Sequence, residues 1–193
     1  MRLKACLSIG AFGIVFSGSM PPAAAEVVLN LKTEYYSVEV NGNAPLLPQL
    51  LRASPVYQDA KKYLGNTRAQ INWNFKFREE PSGQCRIVSN RTSLDATIVM
   101  PQIYGATERQ LKLFARFYDS LWRHELGHYA VGAKTAFAID QELTALLPMR
   151  SCRQLSETAN SLGNELLRQR TESNASYDKA TLHGRLQGAV LSD

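Results

Sequence analysis

The hydrophobic period of the chain changes once, near Pro101, and this change constrains the fold more than any other feature. Before it, residues 27–40, 68–80 and 85–100 carry alternating apolar or β-branched side chains, which is typical of strands. After it, apolar side chains recur every three or four residues in two long stretches, which predicts two helices. Strands that precede helices, rather than alternating with them, predict an α+β domain with an N-terminal antiparallel sheet.

Short polar signals set the expected ends of these elements. Pro81-Ser82-Gly83 predicts the turn of a hairpin between the second and third strands, and Pro101 is expected to end the sheet. Thr107 and Ser151 each precede a glutamine by three residues, a capping-box pattern that predicts the starts of the two helices. Residues 177–193 have weak periodicity and are expected to be mostly irregular.

Two local patterns add detail. The second predicted strand places large apolar side chains at alternate positions, so they share one face: Ile71, Trp73, Phe75 and Phe77. A short helix is expected between Pro45 and Ser54.

The N-terminus has the pattern of an export signal. Arg2 and Lys4 precede an apolar run, and the segment ends in the A-x-A pattern of residues 23–25 that a signal peptidase accepts. We therefore expect residues 1–25 to be a signal peptide and residues 26–193 to form a single domain, with no stable membrane insertion after cleavage. The alternative is a retained anchor, which the shortness of the apolar run disfavours.

Export determines how the three cysteines are interpreted. Cys6 would leave with the signal, so Cys85 and Cys152 remain, and a lone pair in an oxidising compartment predicts one disulfide. No cysteine is then left for catalysis or metal binding. The protein is expected to be periplasmic or secreted.

Charge excludes one class of partner. The net charge of +5 falls on removal of Arg2 and Lys4, and no run of like charges resembles a nucleic-acid-binding arm. Binding to anionic surface polymers is a weaker hypothesis, because the basic residues are dispersed rather than clustered.

Two of the three histidines lie four residues apart, in the motif H-E-x-x-H formed by His124-Glu125-Leu126-Gly127-His128. On a helix this spacing puts both imidazoles on one face, where both can bind one Zn²⁺ ion. Glu125 would lie beside the ion without binding it, and there it can act as a general base towards water. The alternative is a structural role, with both histidines hydrogen-bonded in a core.

Gly127, inside the motif, is unfavourable in a helix by about 1 kcal/mol relative to alanine. It is expected to allow close approach of another backbone to this helix. A simple loss of helix propensity is the alternative.

The third ligand is less clearly marked. Val131 and Lys134 occupy the positions where a metzincin has glycine and histidine, so that class is excluded. Glu142 is roughly 21 Å from His128 along a straight helix, which is out of reach. Asp140 has the same difficulty.

His183 is therefore the expected third ligand, with Glu157 and Glu165 as substitutes and a surface histidine as the alternative. Tyr177 and Asp178 are expected either to stabilise an oxyanion or to orient a ligand histidine. A purely structural role is equally compatible with the sequence.

Most of the chain resembles one bacterial family. The order of "YYSVEVNG", the Trp73 strand, "GQC", "WRHELGHY", "RSC" and "YDKATLHG" is similar to the predicted secreted zinc-dependent proteases catalogued as domain of unknown function 922. The resemblance implies a zincin-like zinc site at His124 and His128 with Glu125 catalytic, supports the pairing of Cys85 with Cys152, and adds weight to His183.

Two classes of function follow. The leading hypothesis is an exported zinc metallopeptidase that hydrolyses peptide bonds in a peptide or protein substrate, with an exposed strand edge to align it. A zinc amidase acting on cell-wall peptides uses the same residues. The competing class is a non-enzymatic, zinc-stabilised binding or adaptor module. The sequence gives no indication of oligomeric state.

Overall fold

The computed structural model describes residues 24–191 except for residues 43 and 59. In chain order the elements are β1 (Ala24–Glu39), α1 (Leu46–Ala53), β2 (Tyr57–Gln58), β3 (Lys61–Lys62), β4 (Asn66–Glu79), β5 (Cys85–Tyr104), α2 (Glu108–Thr144), α3 (Cys152–Thr181) and a 3-10 turn at Arg185–Gln187. The fold is therefore α+β, with a sheet followed by helices. The expected signal peptide lies outside the described residues except for Ala24 and Ala25, which begin β1.

The main sheet has three strands in the order β1-β5-β4. β4 and β5 form the predicted antiparallel hairpin. β1 pairs with β5 in parallel, from Ala24 opposite Ser89 to Glu39 opposite Tyr104, so the prediction of an antiparallel sheet is wrong for β1. β5 takes the central position and is the most buried of the three strands, with buried residues that include Leu94, Ala96, Ile98 and Met100. β1 and β4 flank it and do not pair with each other.

The prediction that the sheet ends at Pro101 is also wrong. β5 continues to Tyr104, and Pro101 lies opposite Tyr36 of β1. Pairing with β4 stops at Val99, so β5 is paired on one side only beyond that point. A proline without an N–H is tolerated there because no ladder bond to β4 is lost.

The apolar face of β4 is shorter than predicted. Ile71, Trp73 and Phe75 contact the core, whereas Phe77 is 46% exposed. The register with β5 shifts between Lys76 and Phe77, so the common face ends at this irregularity.

The helices begin where the capping signals predicted. Thr107 and Gln110 form a complete capping box at the start of α2, and the side chain of Ser151 accepts a hydrogen bond from the Gln154 N–H at the start of α3. α3 runs to Thr181, so the prediction of an irregular tail is wrong for its first five residues. α1 matches the expected short helix.

α2 packs against the sheet and against α3, and buried apolar residues form two clusters along it. One joins the sheet to α3 and the C-terminal half of α2, and includes Ile71, Leu94, Ile139, Leu143 and Leu155. The other joins α1, the C-terminal half of β1 and the N-terminal half of α2, and includes Val38, Leu50, Met100, Phe117 and Leu121. The H-E-x-x-H motif lies between the two clusters.

A disulfide joins Cys85 to Cys152, as predicted, across 67 residues. Beside it Cys85 exchanges two backbone hydrogen bonds with Met149, at 2.7 and 2.9 Å. These links tie the start of β5 to the start of α3. Among the residues that the structure describes, no helix combines the length and apolarity needed to cross a bilayer.

Candidate metal centre

Two histidines of α2 and one carboxylate of α3 converge on a common point. The Nε2 atoms of His124 and His128 lie 3.2 and 3.1 Å from Oδ1 of Asp178. The potential ligand atoms of these three residues all lie within 4.8 Å of one another. His124 is buried, and His128 and Asp178 are half-buried at the edge of a cleft.

The opposite nitrogen of each imidazole is held by a side-chain amide. Nδ1 of His124 lies 3.0 Å from Oε1 of Gln187, and Nδ1 of His128 lies 2.9 Å from Oδ1 of Asn174. Gln187 is oriented by its other end, which donates to the hydroxyl of Tyr177 at 2.9 Å. Because amide oxygens only accept, these contacts assign the proton of each imidazole to Nδ1, and each Nε2 would then direct a lone pair at the common point.

Lone pairs from two neutral imidazoles and a carboxylate repel one another unless a cation lies among them. Protonation of His124 is opposed by burial and then by His128, which together lower its pKa. A metal ion is another cation that these three residues could hold. The arrangement therefore has the electrostatic character of a metal site.

The two distances at Asp178 are compatible with zinc. A tetrahedral Zn²⁺ ion with ligands at about 2.0–2.1 Å holds its ligand atoms roughly 3.3 Å apart. The separations of 3.1 and 3.2 Å at Asp178 are close to this value. Two imidazoles and one carboxylate are also a ligand set of catalytic zinc sites, in which one position stays open.

The predicted third ligand is not in this group. His183 lies at the rim of the cleft, 55% exposed, with Nδ1 3.5 Å from Oδ1 of Asp178 and its ring beside that of Tyr63. Glu157 and Glu165 are exposed on α3 and pair with arginines of the same helix. The structure thus places Asp178, not His183, within the donor cluster.

Tyr177 braces both histidines. Its ring stacks on His124, with centroids 5.2 Å apart, and meets His128 edge-on at 5.0 Å. Its hydroxyl donates to the carbonyl of His124 at 3.2 Å. A Cβ at Gly127 would lie 2.1 Å from this hydroxyl oxygen. The glycine therefore makes room for the side chain of Tyr177, whereas the prediction was that it makes room for another backbone. Of the roles predicted for Tyr177, these contacts favour orientation of a histidine.

Glu125 lies beside the donor cluster and does not belong to it. Its Oε2 accepts a hydrogen bond of 2.7 Å from Thr67 of β4, and Gly65 leaves room for Oε1, which a Cβ would approach to 2.7 Å. Burial raises the pKa of Glu125 to about 7, against the lowering effect of the Thr67 hydrogen bond. A carboxyl group with such a pKa can take up and release a proton near neutral pH.

Three consecutive residues with positive φ fold the chain back over His124 after α3. Leu182 and His183 have φ of 49° and 50°, and Gly184 has φ of 81°. A Cβ on Gly184 would lie 3.0 Å from Cγ of His124, so only glycine allows this close passage. The reversal brings Gln187 back to α2, against His124. Such strain in non-glycine residues is characteristic of functional sites.

The donor cluster and Glu125 open into a cleft of about 360 Å³. One wall is formed by α2, α3 and the C-terminal segment, and the other by residues 56–67 and α1. The cleft has room for part of an extended peptide.

Sequence reasoning missed three polar residues of the site: Thr67, Asn174 and Gln187. Each lies between 46 and 63 residues from its partner in the motif, and none has a distinctive local pattern. Asn174 had a detectable signal, because it precedes Tyr177 and Asp178 by one helical turn.

The family described as "Bacterial protein of unknown function (DUF922)" has a model that matches residues 33–184. The chain belongs to this family. The matched region contains the motif, both disulfide cysteines and Asp178, while the family description names no activity or metal. No curated protein and no solved structure matches the chain.

Proposed function

We propose that this DUF922 member is an exported zinc-dependent metallopeptidase. The observation that supports the proposal best is the convergence of His124, His128 and Asp178, with both imidazoles oriented by amide oxygens and Glu125 beside them. In this proposal Asp178 replaces His183 as the third ligand. His183 is left free at the rim to contact substrate.

Zinc, when bound by these three residues, would supply Lewis acidity that lowers the pKa of water and polarises a carbonyl group. Glu125 would accept one proton from the attacking water as the oxygen–carbon bond forms. It would then pass that proton to the amide nitrogen as the carbon–nitrogen bond breaks. Thr67 holds one carboxylate oxygen in place for both transfers.

A peptide is the substrate that the surroundings favour. β4 is an edge strand of the sheet, and its first residues, Asn66 and Thr67, line the cleft. An extended peptide can add to such an edge through backbone hydrogen bonds, which would carry its amide bonds past Glu125. The disulfide between Cys85 and Cys152 supports action in an oxidising compartment, either the periplasm or the exterior.

The decisive variant is Glu125→Gln, with Glu142→Gln as the matched control. Both are on α2, but Glu142 is exposed and outside the cleft. Metal analysis should find one zinc per chain in wild type and in both variants. Hydrolysis of a quenched peptide mixture should fall at least about 100-fold in Glu125→Gln only, because general base catalysis contributes about 10²–10⁴-fold.

Full hydrolysis by Glu125→Gln would refute the proposed role. Zinc binding by a wild-type protein that hydrolyses neither peptides nor cell-wall peptide fragments would indicate the non-enzymatic, zinc-stabilised module instead. Selective hydrolysis of the cell-wall fragments would indicate the amidase.

A further inference from the structure

Six apolar side chains line the cleft beside its polar residues, and we call the surface that they form the apolar end: Leu51, Val56, Leu64, Phe117, Leu121 and Ala189. Leu51 belongs to α1, Val56 to the segment after α1, and Leu64 to the residues just before β4. Phe117 and Leu121 belong to α2, and Ala189 belongs to the C-terminal segment. Five separate parts of the chain therefore converge to build one surface.

The apolar end begins directly beside the motif. Leu121 precedes Glu125 by four residues on α2, and Phe117 precedes it by eight. At a rise of 1.5 Å per residue, these two side chains lie on the same face of α2 as Glu125, about 6 and 12 Å nearer the N-terminus of the helix. The wall of the cleft thus changes from charged to apolar towards the N-terminus of α2.

Gly65 lies at the junction between the two ends. A Cβ at this position would lie 2.7 Å from Oε1 of Glu125 and 3.0 Å from Cδ1 of Leu121. The absence of a side chain therefore keeps the carboxylate and the apolar surface in one continuous space.

Lys62 is the one charged residue of the described lining that lies away from the motif and α3, and its ammonium group donates to the carbonyl of Arg52 at 2.8 Å. It is exposed at the mouth. A charged substrate side chain would lose its hydration inside the apolar end without gaining a partner there.

We propose that the apolar end is a binding subsite for an aliphatic or aromatic side chain of the residue next to the cleaved bond. The proposal rests on the proposed function, because Glu125 defines where the bond lies. Burial of such a side chain should favour a peptide with leucine or phenylalanine there by about 10- to 100-fold in kcat/KM over one with aspartate or lysine.

Cleavage sites in a denatured protein digest would first locate the preferred residue, and matched peptides would then vary that residue alone. Ala189→Phe fills the apolar end from a half-buried position, and Val190→Phe is the control because Val190 is exposed and does not line the cleft. Val56→Phe fills it from the opposite wall, in case Ala189→Phe fails to fold. The filled variants should lose the preference through a higher KM for large residues, while their zinc content persists.

A second readout separates recognition from hydrolysis. Calorimetric titration of zinc-loaded Glu125→Gln with the same peptides should show tighter binding of the leucine peptide by about 10-fold or more, and addition of Ala189→Phe should abolish that difference. Equal binding of leucine and aspartate peptides would overturn the subsite. So would a preference that survives both filling substitutions. If wild type cleaves nothing while this binding difference is present, the proposed function fails and the apolar recognition site stands.

Discussion

Two glycines on α2 should respond in opposite directions to the same substitution. In a helix interior, alanine is more favourable than glycine by about 1 kcal/mol. A Cβ at Gly132 would meet Leu94 at 3.4 Å and Ala69 at 3.7 Å, which are ordinary contact distances. We therefore expect Gly132→Ala to stabilise the protein by about 1 kcal/mol.

Gly127→Ala should instead be destabilising. Its Cβ would lie 2.1 Å from the hydroxyl oxygen and 2.2 Å from the ring carbon of Tyr177, so the ring must move. Overpacking costs about 1–3 kcal/mol, and the two hydrogen bonds of the hydroxyl contribute about 1 kcal/mol each. Subtracting the gain in helix propensity leaves a loss of about 2–4 kcal/mol.

Thermal and urea unfolding of both variants and of wild type would measure these effects. For a domain of this size, Gly127→Ala should lower Tm by roughly 4–16 °C and Gly132→Ala should raise it by roughly 2–4 °C. Because Tyr177 stacks on His124, zinc affinity should also fall by about 10- to 100-fold in Gly127→Ala alone. A Gly127→Ala protein as stable as wild type, with unchanged zinc affinity, would refute the packing of Tyr177 against the motif.

Three further predictions concern the ligand set, the disulfide and the general base. Equilibrium dialysis should show that Asp178→Ala lowers the affinity for zinc by more than about 100-fold, while His183→Ala leaves it unchanged. The reverse result would make His183 the ligand. Replacing Cys85 and Cys152 together by alanine should lower the free energy of unfolding in urea by about 4 kcal/mol, because the bridge closes a loop of 67 residues, and a loss below about 1 kcal/mol would contradict this. Gly65→Ala should displace the Glu125 carboxylate and reduce peptide turnover by about 100-fold with little change in stability or zinc content, whereas unchanged turnover would show that the carboxylate position is unimportant.

Strong local patterns in the sequence determined the predictions that the structure confirms. The hairpin between β4 and β5 follows from two apolar strands joined by a proline-glycine turn, and the start of α2 follows from the Thr107 capping box. The disulfide followed from counting the cysteines that remain if the predicted signal peptide is removed. Each of these inferences depends on residues that are neighbours in sequence, or on a count that leaves one pairing.

The predictions that failed depend on the competition between strands and on the relation between helices. Nothing local in β1 shows that it will lie parallel to β5, because that arrangement depends on which strand takes the centre of the sheet. Pro101 was expected to end the sheet, but pairing of β5 with β4 has already stopped at Val99, so the missing N–H of the proline costs no bond to β4.

Only the α2 half of the candidate site was predicted from the sequence, because the face of α3 that lines the site is polar. Asn174, Tyr177, Asp178 and Thr181 follow the spacing i, i+3, i+4, i+7, so they share one face of α3, and all four contact histidines of the motif. A search for apolar periodicity cannot detect this face, and the nearby glycines, Gly184 and Gly188, suggested an irregular tail. A metal site between two helices needs polar residues on both helices. A polar stripe at helical spacing, such as the one about 50 residues after the motif, should therefore be considered as the source of the third ligand before an isolated histidine is chosen for that role.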